Sequence, residues 1–304
     1  MSEVAGERRG GRGRVLVLGL AVLLFALGVA LLAAGPALFR MGLVERSFAR
    51  FDLAEVAMYV MAVAVAVGFA GLVYSLVGKR QRGAIVAVLV MMAAGVGAGT
   101  LYAQTKMKDQ LPPINDVQTD WSRPVAFTEK ALREREHANA IRVRDDAIVP
   151  EGNGDWSGMS FAEAQSKFYI DVMPLKVKQN PAQATIEAAT AARRLGWDVM
   201  LESPPEGMME AVYHSPWYDL VYDIAVRVVP DGQGSRIDVR STSRTNDRDM
   251  GESATQVKQL INEMALQLRS SHGAMWVGIV AIYSYLRYPP AKRRSFPWPR
   301  FRSQ

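Results

Sequence analysis

Residues 15–39 read VLVLGLAVLLFALGVALLAAGPALF, a run of Leu, Val, Ala, Gly and Phe with one Pro and no charge. About 20 apolar residues in a helix cross the ~30 Å hydrocarbon core of a bilayer, so this run is a first membrane span. Two similar runs follow at about 54–77 and 84–103, separated by Gly78-Lys79-Arg80-Gln81-Arg82-Gly83. A connection this short makes the second and third spans an antiparallel hairpin. A basic leader before an apolar run also describes a secretory signal. The first run, however, exceeds the usual 7–15 residues of such a segment, and two more runs follow it, which favours an uncleaved anchor.

Arg8, Arg9, Arg12 and Arg14 lie in the leader, residues 1–14, and Lys79, Arg80 and Arg82 in the hairpin turn. Both stretches belong on the cytoplasmic side by the positive-inside rule. Arg40, Arg46 and Arg50 in the first loop weaken that bias without reversing it. Three spans then carry everything after residue 103 to the far side. In a Gram-negative bacterium that is the periplasmic face of the inner membrane. No Asp, Glu, Lys, Arg or His falls in the middle of a span, which argues against ion or proton transport. Gly95, Gly97 and Gly99 in the third span allow close helix approach.

Across 304 residues there is no cysteine, which excludes disulfides, thiolate metal sites and cysteine nucleophiles. The three histidines, His137, His214 and His272, show no metal-ligand spacing, so neither a metal nor a cofactor is expected. The net charge of +6 comes largely from the two basic ends. Beside apolar helices these point to lipid headgroups rather than nucleic acid.

Beyond the spans, residues 104–166 read as a linker and an irregular wrap, with a helix at 128–138 and a capping-box pattern at Ser160-Phe161-Ala162-Glu163. The pattern sharpens over residues 167–270. A strand is expected at 168–178, then a helix opened by Asn180-Pro181, strands at 197–202, 208–214, 220–229 and 235–243, and a final helix from Asp249 with Glu252 completing a capping box. The last helix carries Ala254, Val257, Leu260, Ile261, Met264 and Leu268 on one face. The expected fold is α+β, an antiparallel sheet with helices on one face.

The strings Glu210-Ala211-Val212, Asp223-Ile224-Ala225-Val226-Arg227, Gly234-Ser235-Arg236-Ile237-Asp238-Val239-Arg240-Ser241-Thr242-Ser243-Arg244 and Asp249-Met250-Gly251-Glu252-Ser253-Ala254 resemble the domain-of-unknown-function (DUF) 1499 family. The segment from Leu111-Pro112-Pro113-Ile114-Asn115-Asp116 to Asp120 is similar to that family's opening. The likeness covers roughly residues 110–270. The chain departs at Thr245-Asn246-Asp247-Arg248, where the family more often has a hydrophobic residue and Gly before the Asp. The resemblance implies an envelope or lumenal setting and brings no activity with it.

In the last hairpin Asp223, Arg227, Arg236, Asp238 and Arg240 alternate with apolar residues, giving one apolar and one ionic face. Two readings stand. The ionic face is a solvated set of cross-strand pairs, or Arg227, Arg236, Arg240, Arg244 and Arg248 form an anion or headgroup site suited to the planar guanidinium fork. Carboxylate pairs Glu206/Glu210 and Asp219/Asp223 are not placed in a cleft by their spacing, and Ser241 and Ser243 lie beside arginines rather than a histidine. No set of base, nucleophile and oxyanion donors emerges.

Residues 271–304 hold an apolar-aromatic segment, 273–286, and a basic tail. The segment is short for a span. It lies on the membrane surface, makes a short tilted fourth span, or packs on the domain. Trp276, Tyr283, Tyr285, Lys292, Arg293, Arg294 and Trp298 are its candidate membrane-surface contacts. The combined expectation is a tethered, non-catalytic binding or scaffolding module that touches anionic lipid or an envelope protein. The alternative is a membrane-surface hydrolase or transferase.

Overall fold

The computed structural model describes residues 2–245 and 248–271. Helices α1 (Ser2–Arg40), α2 (Leu53–Val77) and α3 (Gln81–Gln110) form a bundle, and a π-helical turn, Phe48–Asp52, leads into α2. The segments Gly13–Arg40, Phe48–Val77 and Gln81–Met107 are each long and apolar enough to cross a membrane. Their close packing centres on Met61. A Cβ on Gly97 of α3 would lie 2.6 Å from its sulfur, and one on Gly28 of α1 2.7 Å from its Cγ. Gly95 and Gly99 make no such approach: the first would meet only Val65 at 3.9 Å, the second nothing within 4 Å. Arg14 lies against the α2–α3 turn, 3.7 Å from a Cβ built on Gly78, so leader and turn share one end of the bundle.

Helix α3 continues past residue 103 to Gln110. Residues 104–110 are polar but contain no proline, and the helix stops only where Leu111, in extended conformation, precedes Pro112. The linker expected from 104 onward is thus helical for its first turns.

Beyond it lies an α+β domain. Strands β1 (Asp116–Gln118), β2 (Leu175–Val177), β3 (Asp198–Ser203), β4 (Met208–His214), β5 (Val221–Asp231) and β6 (Gly234–Ser243) make one antiparallel sheet, ordered β1-β6-β5-β4-β3. Strand β2 shares the outer edge of β6 with β1, pairing Leu175 with Ile237 while β1 pairs Asp116 with Thr242. The strand expected over 168–178 is confined to Leu175–Val177. Its first residue instead ends helix α5 (Phe161–Phe168), which Ser160 starts by accepting a hydrogen bond from Glu163 N–H at 3.1 Å.

Helices α6 (Pro181–Arg194) and α7 (Glu252–Ser271) cover one face. Asn180 caps α6, its side chain accepting from Gln183 N–H at 2.9 Å. Buried Ala188, Ala191 and Ala192 let α6 lie close to the sheet, and Val257, Leu260 and Met264 of α7 join Ile224, Val226, Ile237 and Val239 in the main core. The register puts Val226 opposite Val239 and Ile224 opposite Ser241 on this face. The start of α7 differs from a capping box. Met250 and Gly251 take positive φ of 62° and 83°, and the Asp249 carboxylate accepts from Gly251 and Ser253 N–H groups at 2.8 and 2.9 Å.

The other face is covered by the wrap of residues 119–145, including helix α4 (Glu129–His137). Thr128 caps α4 and is itself fixed to β4, since its N–H and hydroxyl both donate to the Glu210 carboxylate, at 2.6 and 2.8 Å.

Candidate functional site

The strand alternation that turns Ile224, Val226, Ile237 and Val239 toward the helices turns Asp223, Arg227, Asp238 and Arg240 the other way. There they meet the wrap. Arg240 is 1% exposed. Its Nε donates to Asp116 Oδ1 at 3.0 Å and its Nη2 to Oδ2 at 2.6 Å, a two-pronged pair, while Nη1 donates to Asp145 at 2.7 Å and to the Val125 carbonyl at 3.0 Å. The Trp121 and Phe127 rings flank the guanidinium at 6.0 and 5.9 Å. Burial pushes the Asp116 carboxyl above the ordinary carboxylate range, and the charge of Arg240 opposes that rise.

Asp223 sits between two guanidiniums. Arg135, sent down from α4, donates to it and also to the carbonyls of Ile141 and Ser243, at 2.6 and 3.0 Å. Arg244 closes the other side with bonds of 2.8 and 2.6 Å. Toward the far end of the hairpin, Arg227 donates to Asp238 at 3.0 Å, and Arg236 bridges Asp238 and Asp120 at 3.0 and 2.7 Å. Burial raises the Asp120 carboxyl, but hydrogen bonds from Ser122 and Arg123 and the charge of Arg236 outweigh it and hold the group at about 2.

The ionic face is therefore a closed network. Arg135, Arg227, Arg236, Arg240 and Arg244 meet Asp116, Asp120, Asp145, Asp223 and Asp238, with the more exposed Arg123 leaning on Asp120. Four of the five arginines singled out from sequence lie together in it. The fifth, Arg248, stands apart and donates to the Leu111 carbonyl at 3.2 Å. Of its five principal arginines only fringes remain open, 27% of Arg227, 23% of Arg236 and 16% of Arg244, while Asp145 and Arg123 at its rim are more than half exposed. An incoming anion has to displace a carboxylate to use the full fork of any of them. Trp276, Tyr283, Tyr285, Lys292, Arg293, Arg294 and Trp298 lie outside the described residues.

Among the described residues, Ser241, His214 and the Glu210 carboxylate do not come together. Ser241 is fully buried and donates to Gln256 Oε1 at 2.5 Å. Its cross-strand row runs through Ile224 to Ala211, whereas His214 lies at the exposed end of β4, 3.7 Å from Asp219. Of the carboxylate pairs, Glu210 holds Thr128 and Asp223 holds two arginines. A small groove of about 160 Å³ between α4 and the sheet is lined by apolar residues such as Phe127 and Leu201 and by Lys130, Glu134, Glu210 and Asp223. Among the described residues no group of three or more His, Asp or Glu is placed to hold a metal ion.

A second cluster lies where the domain meets its own N-terminal helices. Arg40, the last residue of α1, donates to the Pro216 carbonyl in the β4–β5 loop. The Tyr218 hydroxyl donates to the Ala49 carbonyl at 3.3 Å, and its ring lies 6.4 Å from that of Phe39. Nearby, burial pushes the Asp249 carboxyl up to about 6 against the hydrogen bonds it accepts. Burial raises Glu252 as well, opposed by the charge of Arg50 from the π-helical turn.

Sequence reasoning missed the acidic half of the network, Asp116, Asp120 and Asp145, and missed Arg135. A signal was present. The hairpin offers Arg227, Arg236, Arg240 and Arg244 against Asp223 and Asp238, with Asp231 out at the turn, and a buried excess of positive charge requires acids from elsewhere in the chain.

Residues 116–264 match a family model described as "Protein of unknown function (DUF1499)". No curated protein matches the chain.

Proposed function

Because the chain carries a DUF1499 domain behind three helices able to span a membrane, we propose that it is a tethered binding or scaffolding module of the bacterial inner membrane. Its domain stands on the periplasmic side and contacts envelope lipid or an envelope protein, without catalysing a reaction. One observation carries this reading. The charged side chains of the ionic face are engaged with one another, within the sheet and between the sheet and the wrap, while the base of the domain is fastened to the α1–α2 connection. A fold arranged this way presents a rigid surface at a fixed place on the bilayer. Where anionic headgroups or acidic partners are met, the open fringes of Arg227, Arg236 and Arg244 and the basic tail supply the charge.

Periplasmic placement rests on the basic leader and turn, which share one end of the bundle. It is tested with single cysteines in this cysteine-free chain, Gln233→Cys at the exposed β5–β6 turn and Lys79→Cys at the α2–α3 turn. A membrane-impermeant maleimide is applied to cells whose outer barrier has been opened. The expected result is labelling at position 233 before lysis and at 79 only after it. The reverse pattern places the domain in the cytoplasm and removes the envelope reading.

A further inference from the structure

We propose that the β4–β5 loop is a membrane-seated anchor, with Trp217 lying in the headgroup region of the bilayer. This rests on the tethered reading but not on which side of the membrane the domain occupies.

Three observations set the depth of the loop. Pro216, on one side of Trp217, receives a hydrogen bond from Arg40 at the very end of the first span. Tyr218, on the other side, donates to Ala49 in the turn that opens the second span. The Tyr218 hydroxyl also reaches along α1, where a Cβ on Gly35 would lie 3.1 Å from it. Gly35 is five residues inside the end of α1, which at ~1.5 Å per residue is about 7 Å below Arg40. A loop held at both neighbours to these points keeps Trp217 at the level where the span leaves the hydrocarbon.

Trp217 is 65% exposed, a large apolar surface left open in a loop that the fold has otherwise tied down. Met41, Leu43 and Phe48 of the adjoining α1–α2 connection are exposed as well. Scattered singly, exposed apolar side chains need no explanation; here they lie on two loops that Arg40 and Tyr218 hold together at the end of a helix able to span a membrane. An indole has an apolar body and one N–H donor, which suits the zone where acyl chains give way to headgroups. The occupant of this surface is therefore lipid, continuous with the lipid around the spans.

The loop also has a natural reference point. β5 is 11 residues long, and at ~3.3 Å per residue it carries Gln233, beyond its far end, to about 35 Å from the loop.

The test uses the full chain in phosphatidylcholine vesicles containing a minority of phosphatidylglycerol. Nitroxide labels on Trp217→Cys and Gln233→Cys are compared for collision with oxygen, which concentrates in the bilayer, and with a water-soluble nickel complex. The oxygen-to-nickel ratio is expected to be several-fold higher at 217 than at 233. Because substituting Trp217 removes the anchor itself, the native side chain is read separately. Vesicles whose lipid is brominated near the headgroup end of the acyl chain quench the emission of the unsubstituted protein, and Trp217→Phe is expected to lose a measurable part of that quenching. Equal nickel accessibility at both positions, with quenching unchanged in Trp217→Phe, overturns the proposal. That is also the outcome if the loop serves a protein partner, since none is present. Should the two readings differ, the quenching decides, because it reports the intact loop. Neither reading depends on sidedness, so failure here and failure of the cysteine topology test are separate results.

Discussion

On the helix-covered face of the sheet, Ile224, Val226, Ile237 and Val239 meet α6 and α7 through apolar contact. On the opposite face, one residue out of step along the same strands, Asp223, Arg236 and Arg240 meet Arg135, Asp120 and Asp145 of the wrap through ion pairs. Both faces are buried, by unlike means. Apolar burial is non-directional and contributes about 25 cal/mol per Å² removed from water, so the helix face is stable but says little about where a covering segment must lie. Taking charges out of water costs several kcal/mol per ion, recovered only with good geometry. The ionic face thus contributes little net stability, yet each partner it accepts has to sit at one place. The wrap makes a small apolar cluster of Val125 and Phe127 on Ala225, and the ion pairs add the requirement that fixes its path.

This contrast breaks most visibly at Arg240. Replacing it by Ala leaves Asp116 buried without its fork and is expected to cost about 3–5 kcal/mol, read by urea unfolding of the detergent-solubilised chain. The pair removed together behaves differently. Arg240→Met with Asp116→Leu takes out both charges and is expected to recover most of that loss, because no uncompensated ion remains. A double variant as unstable as Arg240→Ala would mean that the pair holds the wrap by net attraction. On the helix face, Leu260→Ala has no such rescue. It opens a cavity and is expected to cost about 2–5 kcal/mol, and combined with Arg240→Ala the effects add to within about 0.5 kcal/mol. A larger departure from additivity would show that the two faces are coupled through the sheet.

The same contrast explains which parts of the molecule were legible in the sequence. Apolar periodicity reports what faces a generic core. It revealed the three apolar helices long enough to span a membrane, the strands from Met208 to Ser243 and the buried stripe of α7. Ion pairs carry no period. Asp116, Asp120 and Asp145 are three acids in an irregular stretch, and nothing local tells Asp116 that its partner lies 124 residues away. Strand β1 was hidden, and β2 was read too long over 168–178, for a related reason. Each has three residues, too few to show alternation, and each exists because β6 offers a free edge. The arginines were visible as an ionic face, but whether water, an anion or the chain's own carboxylates would meet them depended on the path of the wrap.

The finest expression of the difference is in two aspartates that titrate in opposite senses. Asp120, on the ionic face, is held at about 2 by hydrogen bonds and Arg236. Asp249, at the start of α7 on the helix side, is pushed up to about 6, where burial outweighs the N–H groups it accepts from and no arginine compensates. Below the unfolded value of 3.8, the unfolded state binds a proton at position 120 while the folded state resists it, so this group's contribution is present above 3.8 and is lost as pH falls toward 2. For Asp249 the sign reverses. Between 3.8 and about 6 the folded state holds the proton that the unfolded state has released, so folding loses stability as pH rises through that window, by roughly 3 kcal/mol in all. Asp249→Asn is expected to flatten the stability profile between pH 4 and 6 while leaving the acid limb in place. Asp120→Asn is expected to weaken the acid limb and leave the pH 4–6 slope intact. Unfolding midpoints measured across pH 2–7 for the two variants check both. If Asp249→Asn leaves the upper slope unchanged, that slope belongs to Glu252 of the same helix or to Asp116 of the ionic face, the other carboxyls raised by burial. Asp116→Asn separates them: loss of the slope there would end the contrast between the two faces.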